Sequence, residues 1–199
     1  MRHIYVDNDA SRTLLLLHGT GGNENSLLQL AEIIDPSANV LSLRGDVLEN
    51  GMPRFFKRLT EGVFDEVDLV KRTHALNAYL DDAAKTYGFD RKQVVAVGYS
   101  NGANIAASLM FHDGEALHGA ILHHPMMPLR GITLPDLSDK QVFLAAGRND
   151  HMCPAKESAE IKEVLEAAGA SVTIHWEDNG HSLTQSEIVA AAQWYRKTF

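Results

Sequence analysis

Short apolar runs of strand length alternate along this chain with longer segments of helical periodicity. Two runs, Leu14–Leu17 and Val94–Val97, are apolar at every position, which is typical of parallel strands buried on both faces. The alternation predicts an α/β fold with a mostly parallel sheet and helices on both of its faces. The predicted strands are His3–Val6, Thr13–Leu17, Asn39–Leu43, Gln93–Gly98, Gly119–His124, Gln141–Gly147 and Ser171–Trp176.

The segments between these runs carry apolar residues at steps of three and four, which predicts helices. The predicted helices are Asn25–Ile34, Asp65–Tyr87, Ala103–Phe111, Glu157–Ala168 and Gln185–Lys197. Gly169 is placed to end the fourth helix, and the basic residues near the C-terminus suit the negative end of the last helix dipole.

Length, composition and charge narrow the class of protein. A chain of 199 residues with 45% apolar and 22% charged residues is globular and long enough for a core of its own. The net charge of −8 disfavours nucleic acid and anionic membrane surfaces, because an acidic surface repels phosphate. We expect one domain over residues 1–199, as a monomer or a homodimer.

The single cysteine and the N-terminal segment indicate the compartment. Cys153 has no second cysteine to pair with, and a buried packing thiol is favoured over a redox sensor. Asp7 and the lack of a long apolar run argue against a signal peptide, and Leu14–Leu17 is far too short to cross a bilayer. We expect a cytoplasmic protein.

Two segments fit neither the strand nor the helix pattern. Arg44–Gly62 is long for a loop inside a compact domain, and such loops are usually functional or disordered. Phe55 and Phe56 favour an ordered loop, so we expect it to cover the active site. Pro125–Lys140 is too short for a separate lid domain.

The sequence Gly98-Tyr99-Ser100-Asn101-Gly102 matches the pattern G-x-S-x-G and lies between a predicted strand and a predicted helix. A sharp strand-to-helix turn strains the backbone of the serine, and the flanking glycines remove the steric conflict. The helix N-terminus favours developing negative charge. Ser100 is therefore the predicted nucleophile, the alternative being a glycine-flanked serine in an ordinary turn.

A serine needs a base and an acid, and in this architecture they follow it in the order acid, then histidine. Asp150 comes directly after a predicted strand, at the sheet edge where sites are built, and His181 follows the last strand. Asp178 is the competing acid, but it lies too close to His181 to hold that ring from another strand. His123 and His124 are expected to line the site or to bond local backbone.

A glycine-rich loop, His18–Gly22, follows the second predicted strand. The backbone N–H groups of Thr20, in this loop, and of Asn101, after the nucleophile, are the predicted oxyanion hole. The alternative is a phosphate loop. It is disfavoured because G-x-x-x-x-G-K-[ST] is absent and Glu24 stands at the third glycine of G-x-G-x-x-G.

These motifs fall in one order along the whole chain: His18–Gly22, Gly98–Gly102, Gly147–Asp150 and Asn179–His181. In this order the chain resembles the α/β-hydrolase fold, in the small lidless branch of phospholipases and carboxylesterases that includes acyl-protein thioesterases. The run Arg44–Phe56 is similar to that of bacterial hydrolases often induced by quinones, other electrophiles or metals. The resemblance implies a triad of Ser100, Asp150 and His181, and no cofactor.

The hypothesis is a two-step acyl transfer through an acyl-enzyme, acting on esters or thioesters with small or medium acyl groups. The predicted walls of the substrate site are Met52, Phe55, Phe56, Met126 and Met127, with packing onto the sheet as the alternative role. The segment Arg44–Gly62, called the covering segment below, also carries basic residues. They either bind an anionic substrate or have a structural role; they are Arg44, Arg54, Lys57 and Arg58.

Two other classes of function stay open. Metal-dependent hydrolysis is disfavoured, and no metal site is expected, because H-E-x-x-H is absent and no cluster has zinc spacing. A non-catalytic or stress-sensing binding protein on the same scaffold would tend to lack part of the triad, and each triad position is filled here.

Overall fold

The computed structural model describes residues 1–199 and contains eleven strands. In chain order they are β1 (His3–Val6), β2 (Thr13–Leu17), β3 (Asn39–Leu43), β4 (Val47–Glu49), β5 (Met52–Arg54), β6 (Arg58–Thr60), β7 (Val63–Phe64), β8 (Val94–Tyr99), β9 (Gly119–His123), β10 (Gln141–Gly147) and β11 (Ser171–Glu177). Seven of them form one sheet in the order β1-β3-β2-β8-β9-β10-β11. Only β1 is antiparallel to its neighbour, so the predicted mostly parallel sheet is confirmed.

Five α-helices cover the two faces of the sheet. They are α1 (Leu28–Ile34), α2 (Glu66–Tyr87), α3 (Asn101–His112), α4 (Ala155–Ala167) and α5 (Gln185–Thr198). The larger core joins one face to α2, α3 and α4, and the smaller core joins the other face to α1 and α5. In β2, Leu15 and Leu17 enter the larger core while Leu14 and Leu16 enter the smaller one. Helices therefore lie on both faces, as predicted, and none has the length and apolar character required to span a membrane.

The predicted helix Asn25–Ile34 begins later in the structure, at Leu28. The side chains of Asn23 and Ser26 accept backbone N–H groups in the preceding turn, at 2.9 Å in each case. Such local bonds compete with a helix for the same backbone donors. The helix predicted at Glu157 begins earlier, at Ala155, directly after Pro154.

The segment Arg44–Gly62, expected to be a loop without strands, contains a short antiparallel hairpin, β4–β5, and the first strand of a second one, β6–β7, whose second strand begins at Val63. In the first hairpin Glu49 pairs with Met52 across Asn50 and Gly51, whose φ angles are 51° and 80°. Asn-Gly is the preferred pair for a two-residue turn with positive φ at both positions. The segment is ordered, as expected, but it is built from strands.

Gly102 lets helix α3 begin close to the end of β2. A Cβ atom at this position would lie 1.9 Å from the carbonyl oxygen of Leu17. Since that neighbour is backbone of a fully buried strand, it cannot move aside without disturbing the sheet. Glycine at this position therefore allows the Ser100 turn and the start of α3 to lie against the end of β2.

The substitution Gly102→Ala tests this close approach. In an open helix, replacing glycine by alanine stabilises a protein by roughly 0.5–1 kcal/mol. Here we expect the opposite sign, a loss of about 1–3 kcal/mol from overpacking. Thermal denaturation followed by circular dichroism measures it, and a melting temperature equal to or above that of the parent contradicts the packing described.

Candidate active site

The three predicted catalytic side chains come together at the edge where the parallel strands end. Ser100 follows β8, Asp150 follows β10 and His181 follows β11. Nε2 of His181 lies 2.9 Å from Oγ of Ser100, and Nδ1 of His181 lies 2.7 Å from Oδ2 of Asp150. When Nδ1–H donates to the carboxylate, Nε2 is left as the acceptor for the serine hydroxyl.

The backbone at Ser100 is strained, with φ 52° and ψ −113°. A non-glycine residue in such a conformation costs about 1–3 kcal/mol, and strain of this kind is concentrated at functional sites. The N–H of Ser100 donates to the carbonyl of His123 at 2.9 Å, which ties the turn to β9. Ser100 is the residue before α3, so its hydroxyl lies at the positive end of the helix dipole.

Asp150 is held by four hydrogen bonds. Its Oδ1 accepts the backbone N–H groups of Met152 at 2.9 Å and Cys153 at 2.8 Å, and its Oδ2 faces both His181 and His124. Burial by itself raises the pKa of Asp150, but the hydrogen bonds from Cys153 and His181 hold it below the ordinary value. The carboxylate is therefore ionised beside the ring of His181, the predicted base.

The competing acid, Asp178, lies outside this arrangement. Its exposed carboxylate faces the guanidinium of Arg148 at 3.3 Å, and its backbone carbonyl accepts from the side chain of Asn149 at 2.9 Å. This geometry is consistent with Asp150, not Asp178, as the partner of His181.

His123 and His124 were expected to line the site or to bond local backbone, and that expectation is wrong. Both side chains are fully buried beneath Asp150. His124 Nδ1 lies 3.0 Å from Asp150 Oδ2, and both histidines contact Glu187 of α5. Glu187 is not among the predicted site residues, although its position three residues after Thr184 is the spacing of a helix capping box.

The two predicted oxyanion donors both border the cavity at Ser100. The N–H of Thr20 has no acceptor within the protein, and Asn101 is the first residue of α3, whose N–H lacks an intrahelical partner. Arg54 Nη1 donates to Thr20 Oγ1 at 2.6 Å, and the N–H of Gly21 donates to Pro53 at 2.9 Å. The first hairpin thus holds the glycine-rich loop in place.

A cavity of about 310 Å³ opens at Ser100. Its lining residues are Thr20, Met52, Arg54, Arg58, Glu61, Gly62, Phe64, Tyr99, Ser100, Asn101, Asn104, Met126, Met152, Cys153 and His181. Three of the predicted substrate-binding residues are among them, namely Met52, Arg54 and Met126. A larger cavity of about 580 Å³ lies at the opposite edge of the sheet, near Tyr5 and Asp90, far from the serine.

Phe55, Phe56 and Met127, which were predicted as walls, do not border this cavity. Phe55 and Phe56 are 2% and 0% exposed and lie in the larger core, where they anchor the covering segment. The N–H of Phe55 donates to Oδ1 of Asn101 at 2.7 Å, so the segment is also bonded to the nucleophile turn. Met127 is buried and borders a neighbouring cavity.

The basic residues of the covering segment are mostly paired. Arg44 bonds Glu24, while Arg58 and the buried Arg54 both face Glu49, at 2.8 and 3.4 Å. Their contacts support the structural alternative of the two roles considered above.

Cys153 is buried, as expected of a packing thiol, and burial raises its pKa above the ordinary value. The thiolate is therefore disfavoured.

The imidazole nitrogens of His124 and His181 that face Asp150 are at hydrogen-bond distance from the same oxygen. The three groups are close enough for a metal, but their facing atoms are already bonded to one another.

The sheet order, the strained serine turn at the carboxyl edge, and an acid and a histidine on later loops together define an α/β-hydrolase. The family model of the dienelactone hydrolase family matches residues 49–196, and the chain belongs to that family. The resemblance to the α/β-hydrolases is thus confirmed.

Several proteins are similar over nearly the whole chain. MhqD of Bacillus subtilis (strain 168), named as a hydrolase, is 57% identical over 197 residues, 99% of this chain and 98% of that one. The crystal structure of a Bacillus cereus carboxylesterase is 60% identical, with a TM-score of 0.99 over 100% of this chain and 95% of that one. A structure of YahD with malic acid is 34% identical, with a TM-score of 0.93 over 100% of this chain and 99% of that one.

The buried Glu187 makes the free energy of unfolding depend on pH. Burial raises its pKa, but hydrogen bonds with His123 and His124 lower the pKa from 4.5 to about 2. Its contribution is therefore fully present above pH 4.5 and is lost as the pH falls towards about 2.

We expect the stability advantage of the parent over Glu187→Gln to shrink as the pH falls from about 5 to about 3. Urea unfolding at several pH values measures it. The exposed Glu163, replaced by Gln, is the control and should show a small difference at every pH. A pH-independent difference for Glu187→Gln would contradict the assignment.

Proposed function

We propose that this protein is a serine carboxylesterase that hydrolyses esters with small or medium acyl groups through an acyl-enzyme. The observation that carries the proposal is the series of hydrogen bonds from Ser100 through His181 to Asp150, with Ser100 and His181 bordering a cavity of about 310 Å³. The similarity to a Bacillus cereus carboxylesterase at 60% identity supports the same reaction. One domain supplies every group, so a monomer suffices.

In the first step Nε2 of His181 takes the hydroxyl proton of Ser100 as Oγ attacks the ester carbonyl carbon. Asp150 stabilises the imidazolium that forms and keeps Nδ1 protonated. The tetrahedral intermediate collapses, and His181 passes its proton to the departing alcohol oxygen. The product of this step is an ester between Ser100 and the acyl group.

In the second step a water molecule gives a proton to His181 and attacks the acyl-enzyme carbonyl. The second tetrahedral intermediate releases the carboxylic acid, and Ser100 recovers its proton. In both steps the N–H groups of Thr20 and Asn101 are the proposed donors to the oxyanion. Loss of one such donor typically costs about 3–4 kcal/mol of transition-state stabilisation. Thioesters are proposed as further substrates, since the same steps expel a thiol.

Replacing the nucleophile tests the proposal. We expect Ser100→Ala to lower kcat on p-nitrophenyl esters by about 10⁴-fold or more, with no loss of folded protein. Ser182→Ala, an exposed serine next to His181, is the control and should keep parent activity. Ester hydrolysis by Ser100→Ala at the parent rate would refute the mechanism, and an inactive parent would favour the binding-protein alternative.

Chain-length preference tests the substrate class. The cavity at Ser100 and a neighbouring one of about 260 Å³ share Gly62, Phe64 and Met126 in their linings. Met126→Ala removes a side chain between them, so we expect the optimum of kcat/KM to move to longer acyl esters. Met152, which borders only the first cavity, is the control when replaced by Ala. An unchanged optimum in Met126→Ala would place the acyl group elsewhere.

A further inference from the structure

A histidine without contact to solvent lies between two carboxylates beneath the catalytic groups. Nδ1 of His124 lies 3.0 Å from Oδ2 of Asp150, and Nε2 lies 3.1 Å from Oε2 of Glu187. All three side chains are 0% exposed. The reaction steps described above make no use of His124 or Glu187.

The geometry constrains the protonation of this ring. An ionised carboxylate only accepts hydrogen bonds, so two ionised carboxylates require N–H groups on both ring nitrogens. Asp150 already accepts two backbone N–H groups and His181. Glu187 accepts from His123 Nδ1 at 2.7 Å and lies in the first turn of α5, where the helix dipole favours negative charge.

The groups that face His124 come from every element around it. They are Asp150 from the loop after β10, Glu187 from α5, His181 at a ring distance of 5.2 Å, and Tyr99 of β8 at 6.1 Å. Burial raises the pKa of Tyr99 to about 12, so the phenol is neutral. Burial by itself lowers the pKa of His124, but the bonds to Glu187 and Asp150 raise it above the ordinary value.

His124 also adopts an unusual backbone conformation. Its φ is 52°, a region that non-glycine residues rarely occupy, and its N–H donates to the carbonyl of Ala145 at 2.7 Å. The conformation costs about 1–3 kcal/mol and persists only where the surroundings fix it. In this fold the turn at the end of β9 carries the ring to a place directly behind Asp150.

We propose that His124, held as an imidazolium by Glu187, is a positioning residue that fixes the Asp150 carboxylate towards His181. This inference rests on the proposed function. Oδ1 of Asp150 is fixed by two N–H donors, and His124 supplies the second donor to Oδ2. The positive charge of His124 also offsets the negative charge of Glu187. Without it, the charge of Glu187 would add to that of Asp150 and make His181 bind its proton more tightly.

The protonation state is measured first, by NMR of the protein labelled with ¹⁵N-histidine. We expect one histidine that titrates at a higher pH than the ordinary histidine value of about 6.5. Its signal should be absent in His124→Gln, and in Glu187→Gln it should titrate at a lower pH than in the parent. A parent in which no histidine titrates above the ordinary value overturns the proposal, whether or not the protein hydrolyses esters.

The second measurement is the pH profile of ester hydrolysis. We expect His124→Gln to lower kcat by about tenfold or more with KM within about twofold, because the geometry and charge around Asp150 change while the substrate cavity does not. The acid limb of kcat/KM should move to higher pH. His118→Gln, a half-buried histidine before the start of β9, is the control and should match the parent.

The outcomes separate the two proposals. A folded His124→Gln protein with parent kcat and an unchanged acid limb overturns the role of His124 and leaves the esterase proposal intact. An inactive parent removes the esterase proposal, and the NMR titration still decides the charge of His124. If His124→Gln does not fold, the titration of the parent and of Glu187→Gln decides it.

Discussion

The burial of the Asp150 carboxylate is the constraint on which the rest of the site depends. A buried carboxylate stays ionised only when donors surround it. Here the donors come from its own loop, from the loop after β11 and from the end of β9, with α5 behind them. Satisfying one charge therefore brings four separate parts of the chain to one point and fixes the ring of His181 at hydrogen-bond distance from Ser100.

The sheet and the two hairpins set the position of Ser100, the proposed nucleophile, relative to that charge. The parallel strands end at one edge, and Gly102 lets α3 start almost in contact with β2. The first hairpin bonds the turn through Asn101 and the glycine-rich loop through Thr20. Since both proposed oxyanion donors adjoin these bonds, the hairpin supports the position of the proposed oxyanion hole as well as the shape of the cavity.

Local signals made much of this predictable. The strand Thr13–Leu17 has the predicted bounds, because a run of four leucines of strand length is typical of a strand buried on both faces. Ser100, Asp150 and His181 each carry a signature in the adjacent chain, and the fold brings them together. Glu187 carries only the spacing of a helix capping box after Thr184, and His124 carries no local signal. Their pairing depends on where α5 crosses the sheet. The side-chain directions of Phe55 and Phe56 likewise depend on the hairpins. Of these hairpins, only the turn of the first has a clear local signal, the pair Asn50-Gly51.

The most direct test of the central claim is labelling with a fluorophosphonate, which reacts with activated serines, followed by intact-mass measurement and peptide mapping. We predict one adduct, on Ser100, in the parent protein, and no adduct in Ser100→Ala. A folded parent that gains no adduct, or an adduct on a different serine, would contradict the claim that Ser100, His181 and Asp150 form a working nucleophile.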